Sequence, residues 1–160
     1  MLKAIADLID RLASRSASSP ASQALEEADV PIAAAALLLH IASVDGELSA
    51  GERDDIARLI GERFGLSGTD TAEIVRIAAE RENEAVDLHR FTSVLKRNLD
   101  DDGRLAIVRM LWRIAFSDGQ AHEFEENTIW RIAELIGVSS RDRMALRRLV
   151  AGEAAAPPET

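Results

Sequence analysis

The sequence predicts an all-α, single-domain bundle of about seven or eight helices with an internal pseudo-two-fold repeat. Three observations carry this. Apolar residues recur at helical spacing along the chain, and no window sustains the period-two alternation of strands. Ala, Leu, Ile, Glu and Arg dominate, and most of these favour helix. One helix–Asp-Gly turn–helix unit occurs twice.

The first helix is expected over residues 2–15, where Leu2, Ile5, Leu8, Ile9 and Leu12 line one face. Its acidic residues Asp7 and Asp10 fit packing on the bundle or on another subunit better than lying on a membrane. Ser16 to Ser22, with Pro20, reads as a linker. Residues 1–23 thus form an N-terminal helix and linker, and 24–152 form the helical domain. Pro31 fits the first turn of the next helix, which runs from about Pro31 to Val44 and is apolar nearly all round, as central helices are.

Asp45-Gly46 breaks that helix, and Ser49-Ala-Gly-Glu52 opens another as a capping box. Ile56, Leu59, Ile60 and Phe64 form its stripe, and Gly65-Leu66-Ser67 leads to a helix bearing Ile74, Ile77 and Ala78. Asp87 to Leu99 reads as a further helix. Asp100-Asp101-Asp102 starts the next, where carboxylates interact favourably with the helix dipole, so the run needs no metal to explain it. That helix ends at Asp118-Gly119, and two more follow. Residues 153–160, rich in Ala and Pro, are expected to be a disordered tail.

The repeat is the strongest signal. Leu38–Arg58 aligns with Leu111–Arg131 without a gap, at a shift of 73, with 8 of 21 positions identical. After a one-residue slip, Phe64-Gly65-Leu66-Ser67 matches Ile136-Gly137-Val138-Ser139. The repeat units span about 31–80 and 104–151. Two such units can bury their apolar faces against each other.

Composition narrows the function. The chain has no cysteine, which excludes disulfides, thiolate metal sites and cysteine nucleophiles. A net charge of -9 argues against nucleic acid, which attracts proteins through Lys and Arg, and is compatible with a cation or a basic partner. No stretch approaches the roughly 20 apolar residues of a membrane span, and the N-terminus lacks the uninterrupted apolar run of a secretory signal. A cytoplasmic protein is expected. Gly-rich phosphate loops, nucleophile elbows and His-Glu-x-x-His helices are all missing, so the expectation is a non-enzyme, with a carboxylate-based hydrolase as the remotest alternative.

Two candidate sites remain. At the turns, Asp45, Glu47 and Glu52, and then Asp118, Glu125 and Glu126, supply the oxygen donors that Ca²⁺ or Mg²⁺ prefers. Neither loop is an EF-hand, because positions six and twelve are Ala50 and Ile56, or Glu123 and Ile129. The competing reading is turn and cap chemistry alone, which the duplication would preserve anyway. His122 and Glu126 share a helix face, as a transition-metal pair or as plain exposed polar residues. The second candidate is the basic last helix. Arg143, Arg147 and Arg148, with Arg141, offer a docking face for an acidic protein partner or for head-to-tail self-association into a homo-oligomer. A solvated face with local ion pairs is the simpler account. Trp112, Phe116 and Trp130 read as core or interface aromatics, and His40 as a packed or partner-facing residue.

The turns Ala-Ser-Val-Asp-Gly-Glu-Leu-Ser-Ala-Gly-Glu (42–52) and Ala-Phe-Ser-Asp-Gly-Gln-Ala-His-Glu-Phe-Glu (115–125) resemble the pattern of the TerB tellurite-resistance family. Phe91-Thr92 and Leu111-Trp112-Arg113 further resemble a bacterial branch of it. The resemblance covers roughly residues 30–150. It implies a pseudo-symmetric helical bundle linked to tellurite and related stress, to metal binding and to membrane-associated protein partners. The matched positions are Asp45, Gly46, Glu52, Asp118, Gly119 and Glu125. Gln120 stands where the first unit has Glu47, so the two turns would not bind a cation equally.

Overall fold

A computed structural model of the chain describes residues 21–44, 48–84, 88–117 and 121–155. Among them are seven helices and no strand: α1 (Ala21–Ser43), α2 (Ala50–Phe64), α3 (Gly68–Glu84), α4 (Leu88–Asn98), α5 (Asp101–Ala115), α6 (Glu123–Ile136) and α7 (Ser140–Ala155). The helix expected over 2–15 lies outside the described residues, as do Asp45-Gly46-Glu47 and Asp118-Gly119-Gln120.

The packing reproduces the repeat. In the first unit α1 packs on α2 and on α3, and α2 on α3; in the second, α5 packs on α6 and on α7, and α6 on α7. The two units meet through α1 against α5, with α2 on α5 and α1 on α6 as a reciprocal pair. Local signals recur as well. Gly65 and Gly137 end α2 and α6 in the left-handed conformation, at φ 64° and 86°. The next residue donates backward in both cases, Leu66 N–H to Gly61 O at 3.0 Å and Val138 N–H to Ala133 O at 2.8 Å, which closes a Schellman cap with an apolar residue behind it. Ser67 and Ser139 then cap the third helix of each unit, accepting from Asp70 N–H at 3.2 Å and Asp142 N–H at 3.1 Å. At α5, the N-cap is Asp100, which accepts from Gly103 N–H at 2.8 Å. A Cβ at Gly103 would lie only 3.1 Å from that carboxylate oxygen, so the glycine lets the cap close.

The core runs along α1, where every residue from Ile32 to Leu39 is buried. This follows from five neighbours, α2 to α6. Its large side chains, Leu37, Leu38, Leu39 and Ile41 among them, each contribute about 1.5–3 kcal/mol of burial. The counterpart helix, α5, buries Ile107, Leu111 and Ile114 but also carries Arg104, Arg109 and Arg113. The asymmetry comes from α4, which seats Phe91 and Leu95 in the core and packs on α1 and α6. The pseudo-equivalent groove, between α5 and α2, is lined by Glu62, Arg63, Arg109 and Arg113, and no described helix covers it.

Two boundaries differ from the sequence expectation. First, α1 begins at Ala21, ten residues before Pro31, which sits inside the helix. Gln23-Ala-Leu-Glu-Glu-Ala is rich in helix formers. The proline forfeits one backbone bond at about 3 kcal/mol, and the buried length that follows outweighs it. Second, α7 continues past Gly152 to Ala155. Alanines sustain the helix, Glu153 pairs with Arg109 of α5 at 2.6 Å, and Pro157 lies just beyond the helix end.

Candidate functional site

The sequence-derived residues separate into two groups. At the turns, Asp45, Glu47 and Asp118 lie outside the described residues. Glu52 is described and forms part of a helix start: its N–H donates to Ser49 Oγ at 3.1 Å. Glu125 is buried, and its Oε1 accepts from His122 N–H at 3.2 Å, the reciprocal half of a capping box. Among the described residues no three His, Asp or Glu side chains group around a common point.

The second group forms a cleft between α5, α6 and α7. A depression of about 300 Å³ opens there, with Trp112 from α5, Glu126, Asn127 and Trp130 from α6, and Arg143, Met144 and Arg147 from α7. Helical spacing produces this grouping. Arg143 and Arg147 are one turn apart on α7, Glu126 and Trp130 one turn apart on α6, and Trp112 of α5 lies one turn before Phe116, the residue that caps that helix. The Trp112 and Phe116 rings lie 6.0 Å apart at a 36° tilt. Over them sits the Arg147 guanidinium, 5.8 Å and 5.6 Å from the two ring centroids. It bonds Glu126 through Nε at 2.9 Å and also through Nη2, so its charge is matched.

Arg143 is held differently. It is only 8% exposed and lies 4.5 Å over the Trp130 ring. No carboxylate among the described residues pairs with it. Trp112 is 2% exposed, and its indole N–H finds no acceptor among the described residues. Trp130 itself is 49% exposed. The cleft therefore combines a partly wet indole platform, a matched ion pair and two buried donors without an anionic acceptor.

Of the three arginines expected to form a docking face, Arg143 and Arg147 turn toward α5 and α6, and Arg148 faces solvent. The sequence singled out both tryptophans but not their convergence with Arg143, Arg147 and Glu126. A signal was present in the repeat itself. At the 73- and 72-residue shifts, Trp112 stands against Leu39, Glu126 against Arg53, Trp130 against Ala57, Arg143 against Thr71 and Arg147 against Val75.

The described helices, their two-unit arrangement and the paired turns define an all-α, TerB-like module. The family model described as "Tellurite resistance protein TerB" matches residues 31–148, and the chain belongs to that family. No curated protein and no solved structure matches it. Among the described residues no helix is long and apolar enough to cross a membrane.

Proposed function

We propose that this chain is a non-enzymatic TerB-like helical module that acts by binding another protein, as a component of a tellurite or metal stress response. One observation carries the interaction reading. Among the described residues, the exposed large hydrophobics, Phe124, Trp130, Met144 and Leu149, all lie on α6 and α7 of the second unit. Single exposed apolar residues are ordinary, but their confinement to one helix pair marks a surface with a use. Aromatic and arginine residues are also the types that dominate binding hot spots. The stress context comes from the family to which the chain belongs.

The test is a cross-linked pull-down with the full chain as bait, comparing wild type with Trp130→Ser and Arg148→Glu. Both residues are exposed, so both variants keep the helical signal of wild type. Recovery of a specific partner falls about tenfold in each, as expected for a lost hot spot. Undiminished recovery in both variants counts against an interface on α6 and α7. The stress assignment is read separately, as loss of tellurite tolerance in a host carrying Trp130→Ser in place of the wild-type gene.

A further inference from the structure

We propose that the cleft between α5, α6 and α7 is a receptor for a single carboxylate side chain of a protein segment, flanked by an aliphatic residue. The inference rests on the interaction reading above and names the chemistry of the partner.

The charge account comes first. Of the two guanidiniums in the cleft, Arg147 is matched by Glu126. Arg143 is not matched among the described residues, although it is more than nine-tenths buried. Its compensation is the face of Trp130, and a ring face stabilises a cation far less than a carboxylate does. A buried, incompletely paired cation is costly. A bound carboxylate supplies the negative charge and lone pairs that Arg143 lacks. One uncompensated charge matches one monoanion, while a chain of net charge -9 repels a polyanion. Next to the arginine, Trp130 and Met144 present apolar surface for an adjoining aliphatic side chain.

The repeat shows that this equipment is not needed for the fold. The first unit makes the same three-helix arrangement with Leu39, Ala57, Thr71 and Val75 at these positions. Of these, Leu39, Thr71 and Val75 are buried without a guanidinium or an indole among them. Two tryptophans and two arginines therefore occupy places that smaller, mostly apolar residues fill in the structural twin.

The cleft also supplies its own reporter. The chain has two tryptophans, both of which line the depression, and no tyrosine. The experiment titrates the full chain with acetyl-Leu-Glu-Leu-amide and, in parallel, with acetyl-Leu-Gln-Leu-amide, reading intrinsic fluorescence. The Glu peptide gives a saturable change, and the Gln peptide binds at least about tenfold more weakly. In Arg143→Met the Glu peptide loses about the same factor while the Gln peptide is unaffected, an outcome that general loosening of the cleft would not produce. Equal binding of the two peptides to wild type overturns the proposal, as does no saturable change with either. A dimer seen by sedimentation that dissociates in Trp130→Ser also overturns it, because the occupant is then a second copy. If the peptides fail while Trp130→Ser still loses its partner in the pull-down, this proposal falls and the interaction reading stands. If the peptides bind as stated and neither pull-down variant loses a partner, the carboxylate receptor stands and the broader reading falls.

Discussion

Arg147 of α7 reaches across to α6 and places both Nε and Nη2 on one carboxylate oxygen of Glu126, the Nε contact measuring 2.9 Å. Both side chains are about one-third exposed. Solvent therefore screens the pair, and it falls short of the 3–5 kcal/mol typical of breaking a buried ion pair. A double-mutant cycle with Glu126→Ala and Arg147→Met, followed by urea unfolding, should return a coupling of about 1 kcal/mol. A coupling near zero would mean that Arg147 is held instead by its guanidinium lying over Trp112 and Phe116 at the end of α5.

The two Schellman glycines make a paired prediction. An alanine Cβ at Gly137 would meet Arg104 Nη1 at 3.8 Å and Lys96 Cε at 3.9 Å, ordinary contacts, and at Gly65 nothing lies within 4 Å. Space does not forbid substitution at either position; only the left-handed backbone does. Gly65→Ala and Gly137→Ala should each cost about 1–2 kcal/mol. Being in separate units, they should add in the double variant, as read by urea unfolding. Unequal costs would show that one unit absorbs the strain by rearranging its turn.

Much of the fold could be read in advance because the duplication exposes it. Gly65 and Gly137, Ser67 and Ser139, and the matched apolar residues Leu38 and Leu111 mark the same local events twice, and in the structure they terminate, cap and bury as that pattern implies. Pro31 misled because proline is a preferred first residue of helices and is also tolerated inside one when burial outweighs the lost bond. The arginines of α7 were legible only in part. Their spacing fixes that Arg143 and Arg147 share a face, but whether that face meets solvent or Trp112 and Trp130 depends on how α7 lies on α5 and α6. Composition says nothing about that. What did carry it was the difference between the two halves of the repeat at Thr71 and Val75, information lodged in a comparison rather than in a motif.

Acid should weaken α3. Arg76 bonds Glu73 through Nε at 3.1 Å and Glu80 through Nη1 at 2.7 Å. The hydrogen bond from Arg76, helped by its charge, holds the Glu73 carboxyl below its ordinary value. A carboxylate with a depressed folded pKa stabilises the fold above its unfolded pKa, and the contribution disappears as pH falls through the folded value. Glu73→Gln should therefore be less stable than wild type near neutral pH, and the gap should close on acidification below the usual carboxylate range of about 4. The effect is small, since the pair is exposed. A gap that persists at low pH would assign it to helix propensity instead.

The Asp-Gly turns are best tested by calorimetry on chelator-treated protein, repeated with Ca²⁺, Mg²⁺, Mn²⁺ and Zn²⁺ in turn. Of the described carboxylates at the second turn, Glu126 is paired with Arg147, and Glu125 is buried and already accepts a bond from the His122 N–H. Using it as a ligand would trade a helix cap for a metal bond. At the first turn Ser49 Oγ accepts from the Glu52 N–H, and among the described residues no bond from the Ser49 N–H engages the Glu52 carboxylate in return. The two turns should thus differ. A ligand at one hundred times its dissociation constant stabilises by about 2.7 kcal/mol, a shift that calorimetry resolves easily. If a cation raises the melting temperature, Asp45→Asn should abolish most of the rise and Asp118→Asn little of it. Gln120 in place of Glu47 removes one more oxygen anion from the second turn and pushes in the same direction. Equal losses in the two variants would contradict this asymmetry, and no shift with any of the four cations would leave both turns as helix caps.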